Sequence, residues 1–342
     1  MNDKDFQSSA PNYRVVLWLS FILIVAVAGI RFSDGSMLLA ISRGLTIGDP
    51  VFKDAATQYV WDSPLKIALL YILPAKIFII AVVFGVLGFL PLLGLFSNDI
   101  RLFWLTFVGI FFTPAFKVSI QNLGVGDGLI LFLIVLISAS RNYLSIAGAF
   151  FLIALWHPQQ SFFIGTSYLL ATYCYKGKFE RQGVLAVLGP LSIAFFVFLL
   201  YKSSLGFTYS SRAAFISEHI RDYLQRNLIY APIAFTPIIA WLLLSGVRAS
   251  RAGALLVLWL FILVVVSMLT TDVTRAMTIV SLPIVLMGAK KVMTDGVAVP
   301  HWKFIVGTTL IVVIPPYSWS GLDYFLWPDL VNDLCKWGFY CQ

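Results

Sequence analysis

Charge is what this chain has least of. Lys, Arg, Asp and Glu make up 12% of its 342 residues, about half the share usual in a soluble domain. That scarcity excludes an ordinary water-soluble globule and leaves lipid as the solvent for most of the surface. Histidine and cysteine are scarce too, three of each. No group of them stands at metal-ligand spacing, so neither a structural zinc site nor any other metal or cofactor is expected. Cys174 ends an apolar run, while Cys335 and Cys341 lie near the C-terminus. There a disulfide in an oxidising compartment and two free thiols fit the residues equally well. Internal repeats and low-complexity linkers are missing, so residues 1–342 read as a single transmembrane domain. The missing repeat also counts against transporter folds built from duplicated halves. The first apolar run, 15–30, lacks a small-residue cleavage site and follows a polar leader. It is expected to be a retained helix rather than a signal peptide.

What the chain has is apolar length, with 60% hydrophobic residues. Stretches long enough to span a bilayer fall near 14–30, 74–96, 101–116, 127–140, 143–157, 160–175, 183–201, 230–247, 252–270, 273–289 and 303–319. The expected fold is therefore an all-α polytopic membrane protein of about eleven (roughly 9–13) transmembrane helices. Residues 64–73, broken from the next span by Pro74, read as an interfacial helix at the end of a first outer loop, 31–73. A second candidate lies in the outer loop 202–229. There Phe215, Ile216, Ile220, Tyr223 and Leu224 share one helical face and Glu218, Arg221, Asp222 and Arg226 the other. Residues 320–342 form the C-terminal tail, also expected outside.

The net charge of +8 is not a nucleic-acid signature, because its cations sit in short clusters between apolar runs. The loops holding Arg141, Lys176/Lys178/Arg181, Arg248/Arg251 and Lys290/Lys291 all fall on the side of the N-terminus. The positive-inside rule makes that side cytoplasmic, which places the chain in a cytoplasmic (inner) membrane.

The acids and other reactive groups then gather outside. Asp34 follows the first span closely, in Ser33-Asp34-Gly35. A carboxylate at the membrane interface, partly desolvated, can have a raised pKa and act as a general base, although Ser-Asp-Gly is also good turn chemistry. Asp49, in Gly48-Asp49-Pro50, and Asp54 are alternates, the first more turn-like still. Asp127, after Gly124-Val125-Gly126, suits an N-cap. Its flanking glycines would also let a ligand approach the backbone. His157 ends a span before Pro158-Gln159-Gln160 and reads as either an interfacial hydrogen-bonding residue or a phosphate or sugar ligand. Arg275 follows Asp272 at a spacing that puts both on one helix face. An Arg entering a span must pair or line a polar cavity, and its planar fork also suits phosphate.

Taken in order, these segments resemble a known family. Asp34 lies after the first span, Gly48-Asp49-Pro50-Val51-Phe52 in the first outer loop, and Tyr59-Val60-Trp61-Asp62-Ser63-Pro64-Leu65 ahead of a surface helix. Gln121-Asn122 and Gly126-Asp127 follow, then the basic Arg141, an apolar span, and His157-Pro158-Gln159-Gln160. The pattern, over residues 14–165, is similar to the polyprenol-phosphate-dependent glycosyltransferases of the GT-C superfamily, particularly the bacterial mannosyltransferase-like branch. The chain departs from that pattern in three places. Asp127 stands near where the family tends to have an amide, His157 where a Lys is common, and the usual Tyr soon after the first Asp is missing. These changes leave the sugar open.

The resemblance implies a hexosyltransferase of cell-envelope glycan biosynthesis, moving a sugar from a polyprenyl-phosphate donor to a glycan or lipid acceptor on the outer face. Asp34 would be the base. Arg275, His157, Lys117 and Arg212 would meet the donor phosphate, and Gln121, Asn122, Asp127, Gln160 and Asp272 the sugar or acceptor. Membrane lipid is the expected partner, and nucleic acid is not. Two other readings stay open. A polysaccharide polymerase or ligase acting on diphospholipid-linked sugars would use the cluster Arg212, His219, Arg221 and Arg226. A transporter would need ionisable groups near mid-membrane, where the spans have almost none.

Overall fold

The computed structural model describes residues 127–204, 251–268, 273–294, 318–320 and 323–325, with single residues between 63 and 68, 217 and 224, and 302 and 306. Six long helices occupy this part: α1 Asp127–Ala139, α2 Tyr143–Trp156, α3 Pro158–Lys176, α4 Arg181–Ser204, α5 Arg251–Met268 and α6 Val273–Thr294. They coincide with six of the apolar stretches expected to be helical. The other five stretches lie outside the described residues, apart from the helical Ile305 and Val306 and the extended Ser318 and Trp319 in the last of them.

Local chemistry explains the punctuation. Asn142 caps α2, its side-chain oxygen accepting from the Leu144 N–H at 2.9 Å. Pro158 pushes the residue before it out of helical geometry, so His157 sits at φ −145°, ψ 76° and α2 stops at Trp156. The same proline then opens α3, because its fixed φ suits the first helical position. Hence α3 begins at Pro158, two residues ahead of the expected start. Gly177 ends it with φ 75°, a left-handed cap that residues with a Cβ adopt only at a cost.

The connections are short, so α1–α2, α2–α3 and α3–α4 are antiparallel neighbours. The loops at 140–142 and 177–180 lie at one end of the bundle and His157 at the other. Central to the packing is α3, which touches α2, α4, α5 and α6, while α2 lies along α4 and α6 along α1 and α5. Phe150, Ile153, Ile164, Ala171, Met277, Ile279 and Leu286 fill the interior. Helices α3 and α4 approach closely at Gly165, where an added Cβ would lie 2.9 Å from Leu191 Cδ1 and 3.1 Å from Val187 Cγ1 of α4. A polar bond ties α3 to α5: Trp259 Nε1 donates to Ser167 Oγ at 2.8 Å, and the Trp259 ring stacks on Phe163.

Around this core the outer faces are apolar. On α4 only Ala186, Val187 and Ala194 are buried, while Phe195, Phe196, Leu199 and Leu200 are exposed. On α5, Leu256, Leu260 and Leu263 face inward and Phe261 is 64% exposed. Helix α4, with 24 residues, is the one described helix both long and apolar enough to cross a membrane.

Helical residues also occur in both segments expected to hold interfacial helices. Pro64, Leu65, Ile67 and Ala68 are helical, with Ile67 buried. Ser217, Ile220, Arg221 and Leu224 are helical and exposed. The loop expected from 202 starts later, since α4 continues to Ser204. Near the C-terminus, Ser318–Ser320 pairs antiparallel with Asp323–Phe325, around the boundary expected between the last span and the tail.

Candidate functional site

The turn between α2 and α3 carries the two candidate residues whose side chains are described, His157 and Gln160. It is built by helix ends. The His157 N–H donates to the Ile153 carbonyl at 2.8 Å, and the Ser161 N–H to the His157 carbonyl at 3.0 Å. Ser161 Oγ donates to the Pro158 carbonyl at 2.6 Å. The last carbonyls of a helix have no partner within it, and Pro158 has no N–H to offer. The Leu155 carbonyl is instead met by the hydroxyl of Ser63, 92 positions away in sequence, at 3.4 Å. Ser63 is buried, as are Ile67 one turn further on and Trp156 beside His157. The end of the first expected outer loop is thus tied to the turn that holds His157.

Gln160, in the first turn of α3, is unusual here. Its side-chain oxygen Oε1 is fully buried and has no hydrogen-bond donor. Leaving a buried acceptor unmet costs on the order of 1–3 kcal/mol. A group retained at that cost is a candidate for a ligand donor, such as a hydroxyl.

Because α1 runs antiparallel to α2, its first residue, Asp127, lies at the same end of the bundle as His157. Arg275 falls in the first turn of α6. Asp34, Asp49, Asp54, Lys117, Gln121, Asn122, Arg212 and Asp272 lie outside the described residues, as do Cys335 and Cys341. The pairing of Asp272 with Arg275 lies outside them too. Among the described residues no group of three His, Cys, Asp or Glu comes together as a metal site.

The opposite end has different chemistry. Tyr143 Oη donates to Glu180 Oε2 at 2.6 Å, and Lys176 Nζ lies 3.2 Å from the same oxygen. The Tyr143 hydrogen bond first, then Lys176, hold the Glu180 carboxyl below its ordinary range. Tyr173 and Phe179 stack at 4.5 Å beside it. This latch fixes the start of α2 to the α3–α4 loop, amid the exposed cations Arg141, Lys176, Lys178 and Arg181.

Of the polar side chains buried between these two ends, two bond within their own helix and one joins two helices. Ser138 and Ser281 donate to carbonyls one turn back, at 2.9 and 2.7 Å, and Ser167 is taken by Trp259. None of these groups is ionisable.

Ser63 was missed as a site element in the sequence. Ser-Pro ahead of an apolar run is a helix-start signal, but the signal carries no information about what the hydroxyl meets. No protein-family model, no curated protein and no solved structure matches this chain.

Proposed function

We propose that the chain is a polytopic protein of the cytoplasmic (inner) membrane, with its N-terminus inside. On this reading it is a GT-C-type glycosyltransferase that transfers a hexose from a polyprenyl-phosphate donor to a glycan or lipid acceptor on the outer face. The membrane reading is supported by the outer faces of α4 and α5. Exposing so many Phe and Leu side chains to water would forgo roughly 1.5–3 kcal/mol for each, and lipid removes that penalty. Basic residues clustered at the 140–142 and 177–180 end, away from His157, agree with that end being cytoplasmic.

The observation that carries the enzymatic reading is the junction at the α2–α3 turn. Ser63 ties down the loop that bears Asp34, Asp49 and Asp54 in sequence, beside His157 and the unmet Gln160 oxygen. In this mechanism the acceptor hydroxyl oxygen attacks the anomeric carbon and gives its proton to the Asp34 carboxylate. The bond from that carbon to the phosphate oxygen breaks, and its electron pair leaves with the polyprenyl phosphate. Arg275, His157, Lys117 and Arg212 stabilise the charge developing there. Gln121, Asn122, Asp127, Gln160 and Asp272 hold the sugar or acceptor, with Gln160 Oε1 accepting from one of its hydroxyls. No metal is demanded, because a lipid monophosphate leaves with less charge than a nucleotide diphosphate.

Gln160→Leu tests this with two readouts of opposite sign. Removing an unmet buried acceptor should raise the thermal midpoint in detergent, whereas losing the substrate hydrogen bond should lower kcat/KM for a polyprenyl-phosphate hexose about tenfold or more. His157→Ala should lower turnover without the gain in stability. A Gln160→Leu enzyme that is both more stable and fully active would remove Gln160 from the site.

A further inference from the structure

Helices α4 and α5 repeat one pattern. Each opens with an exposed arginine, Arg181 and Arg251, and neither has an acid in its first turn, although Glu180, taken up by Tyr143 and Lys176, directly precedes Arg181. The N-terminal end of a helix dipole is positive and disfavours a cation, so neither arginine is there to cap its helix. Among the described residues neither makes an ion pair.

What lies behind each arginine, at helical spacing, is an exposed apolar stripe. On α4 the positions four, seven, fourteen and eighteen residues after Arg181 are Leu185, Leu188, Phe195 and Leu199, all exposed. On α5 the positions four, seven, eleven and fourteen after Arg251 are Leu255, Leu258, Ile262 and Val265, also exposed. A residue every 3.6 positions keeps to one face, so each arginine heads an apolar track, broken on α4 by the exposed Ser192. Lys178 adds a second exposed cation beside Arg181. Amphiphiles with an anion at one end and a long apolar body match this pattern, and the anionic phospholipids of the bilayer itself are the ones that always lie against such a face.

We infer that Arg181, with Lys178, and Arg251 each hold the phosphate of an anionic phospholipid whose acyl chains lie along the stripe behind it. This rests on the membrane reading above and extends it from a bulk solvent to two defined lipid sites, independently of the sugar-transfer chemistry at the other end. The guanidinium fork matches two phosphate oxygens. The anionic headgroup also resolves the misplacement of a cation at a helix N-terminus, since the negative charge interacts favourably with both.

The test uses the full chain in nanodiscs of phosphatidylglycerol and phosphatidylcholine in equal amounts, followed by native mass spectrometry of the lipids that leave with the protein. Wild type should retain phosphatidylglycerol in preference to phosphatidylcholine. Arg181→Gln and Arg251→Gln should each weaken that preference about fivefold, additively in the double variant. Arg181→Lys and Arg251→Lys should keep most of it. Equal retention of the two lipids by wild type would mean that the stripes take any acyl chain and would overturn the inference. So would glutamine variants that keep the wild-type preference. A chain that alkaline carbonate strips from membranes would sink the membrane reading itself, an outcome distinguishable from a stably inserted chain without lipid preference.

Discussion

Asp34→Asn and Asp34→Ala are expected to lower sugar transfer by about 10²–10⁴-fold, the range a positioned general base contributes. The acceptor is a hydroxyl, which is a poor nucleophile until its proton is taken. Asparagine keeps the size of the side chain and its capacity to accept a hydrogen bond but cannot hold that proton, so it separates base chemistry from turn geometry. If Asp34 served only as a turn residue in Ser33-Asp34-Gly35, asparagine would substitute well and only alanine would do harm. Both variants should reach the membrane in normal amount, because the position lies just beyond the first expected span. Donor affinity should change little, so the loss is expected in kcat rather than KM. Activity that persists in both variants would shift the base to Asp49, Asp54 or Asp127.

A second large effect is expected at Gly165. A Cβ there would meet Leu191 Cδ1 at 2.9 Å and Val187 Cγ1 at 3.1 Å, with Phe150 Cε1 at 3.8 Å. Gly165→Ala asks only the far end of Leu191 to give way, together with a few tenths of an ångström at Val187, and should cost about 1 kcal/mol. Gly165→Leu cannot be met by such a shift. Its whole side chain would occupy the space of Leu191, Val187 and Phe150, forcing α3 from α4 at the centre of the bundle. The expected result is a loss of about 3 kcal/mol or more, read as a collapse of the monodisperse peak in fluorescence-detected size exclusion. Removing the opposing bulk in a Gly165→Leu, Leu191→Ala double variant should restore part of that peak. Gly148 provides the contrast, since nothing lies within 4 Å of a Cβ placed there. Gly148→Ala should be neutral or stabilise α2 by up to about 1 kcal/mol.

The helices were legible in the sequence because apolar length and punctuation are local properties. Pro158 stops one helix and starts the next, Gly177 supplies a left-handed cap, and Asn142 caps α2, all within a few residues of the apolar runs. The ends differ from expectation where polarity and geometry part company. Helix α4 runs on to Ser204, past the polar Tyr201 and Lys202, because nothing there breaks it, and α3 gains two residues from the proline that precedes its apolar residues.

What was not legible is who meets whom. Ser63 with Leu155 and Trp259 with Ser167 each join residues 92 positions apart, and no periodicity encodes such a distance. The buried oxygen of Gln160 is of the same kind. The sequence names Gln160 as a sugar or acceptor contact only through the resemblance, and it is the packing around α3 that makes its oxygen costly. The carboxylates of the first outer loop lie outside the described residues, so the proposal about them stands on local chemistry, on the order and spacing of motifs and on the anchor at Ser63.

The most direct measurement supplies the purified wild-type protein with a radiolabelled polyprenyl-phosphate hexose and a membrane extract as acceptor. It follows both the release of polyprenyl phosphate and the anomeric configuration of the transferred sugar. Release should depend on the acceptor, with inversion at the anomeric carbon, because a single displacement brings the hydroxyl to the face opposite the leaving phosphate. Absence of turnover with every polyprenyl-phosphate hexose supplied, from protein that remains monodisperse, would contradict this mechanism.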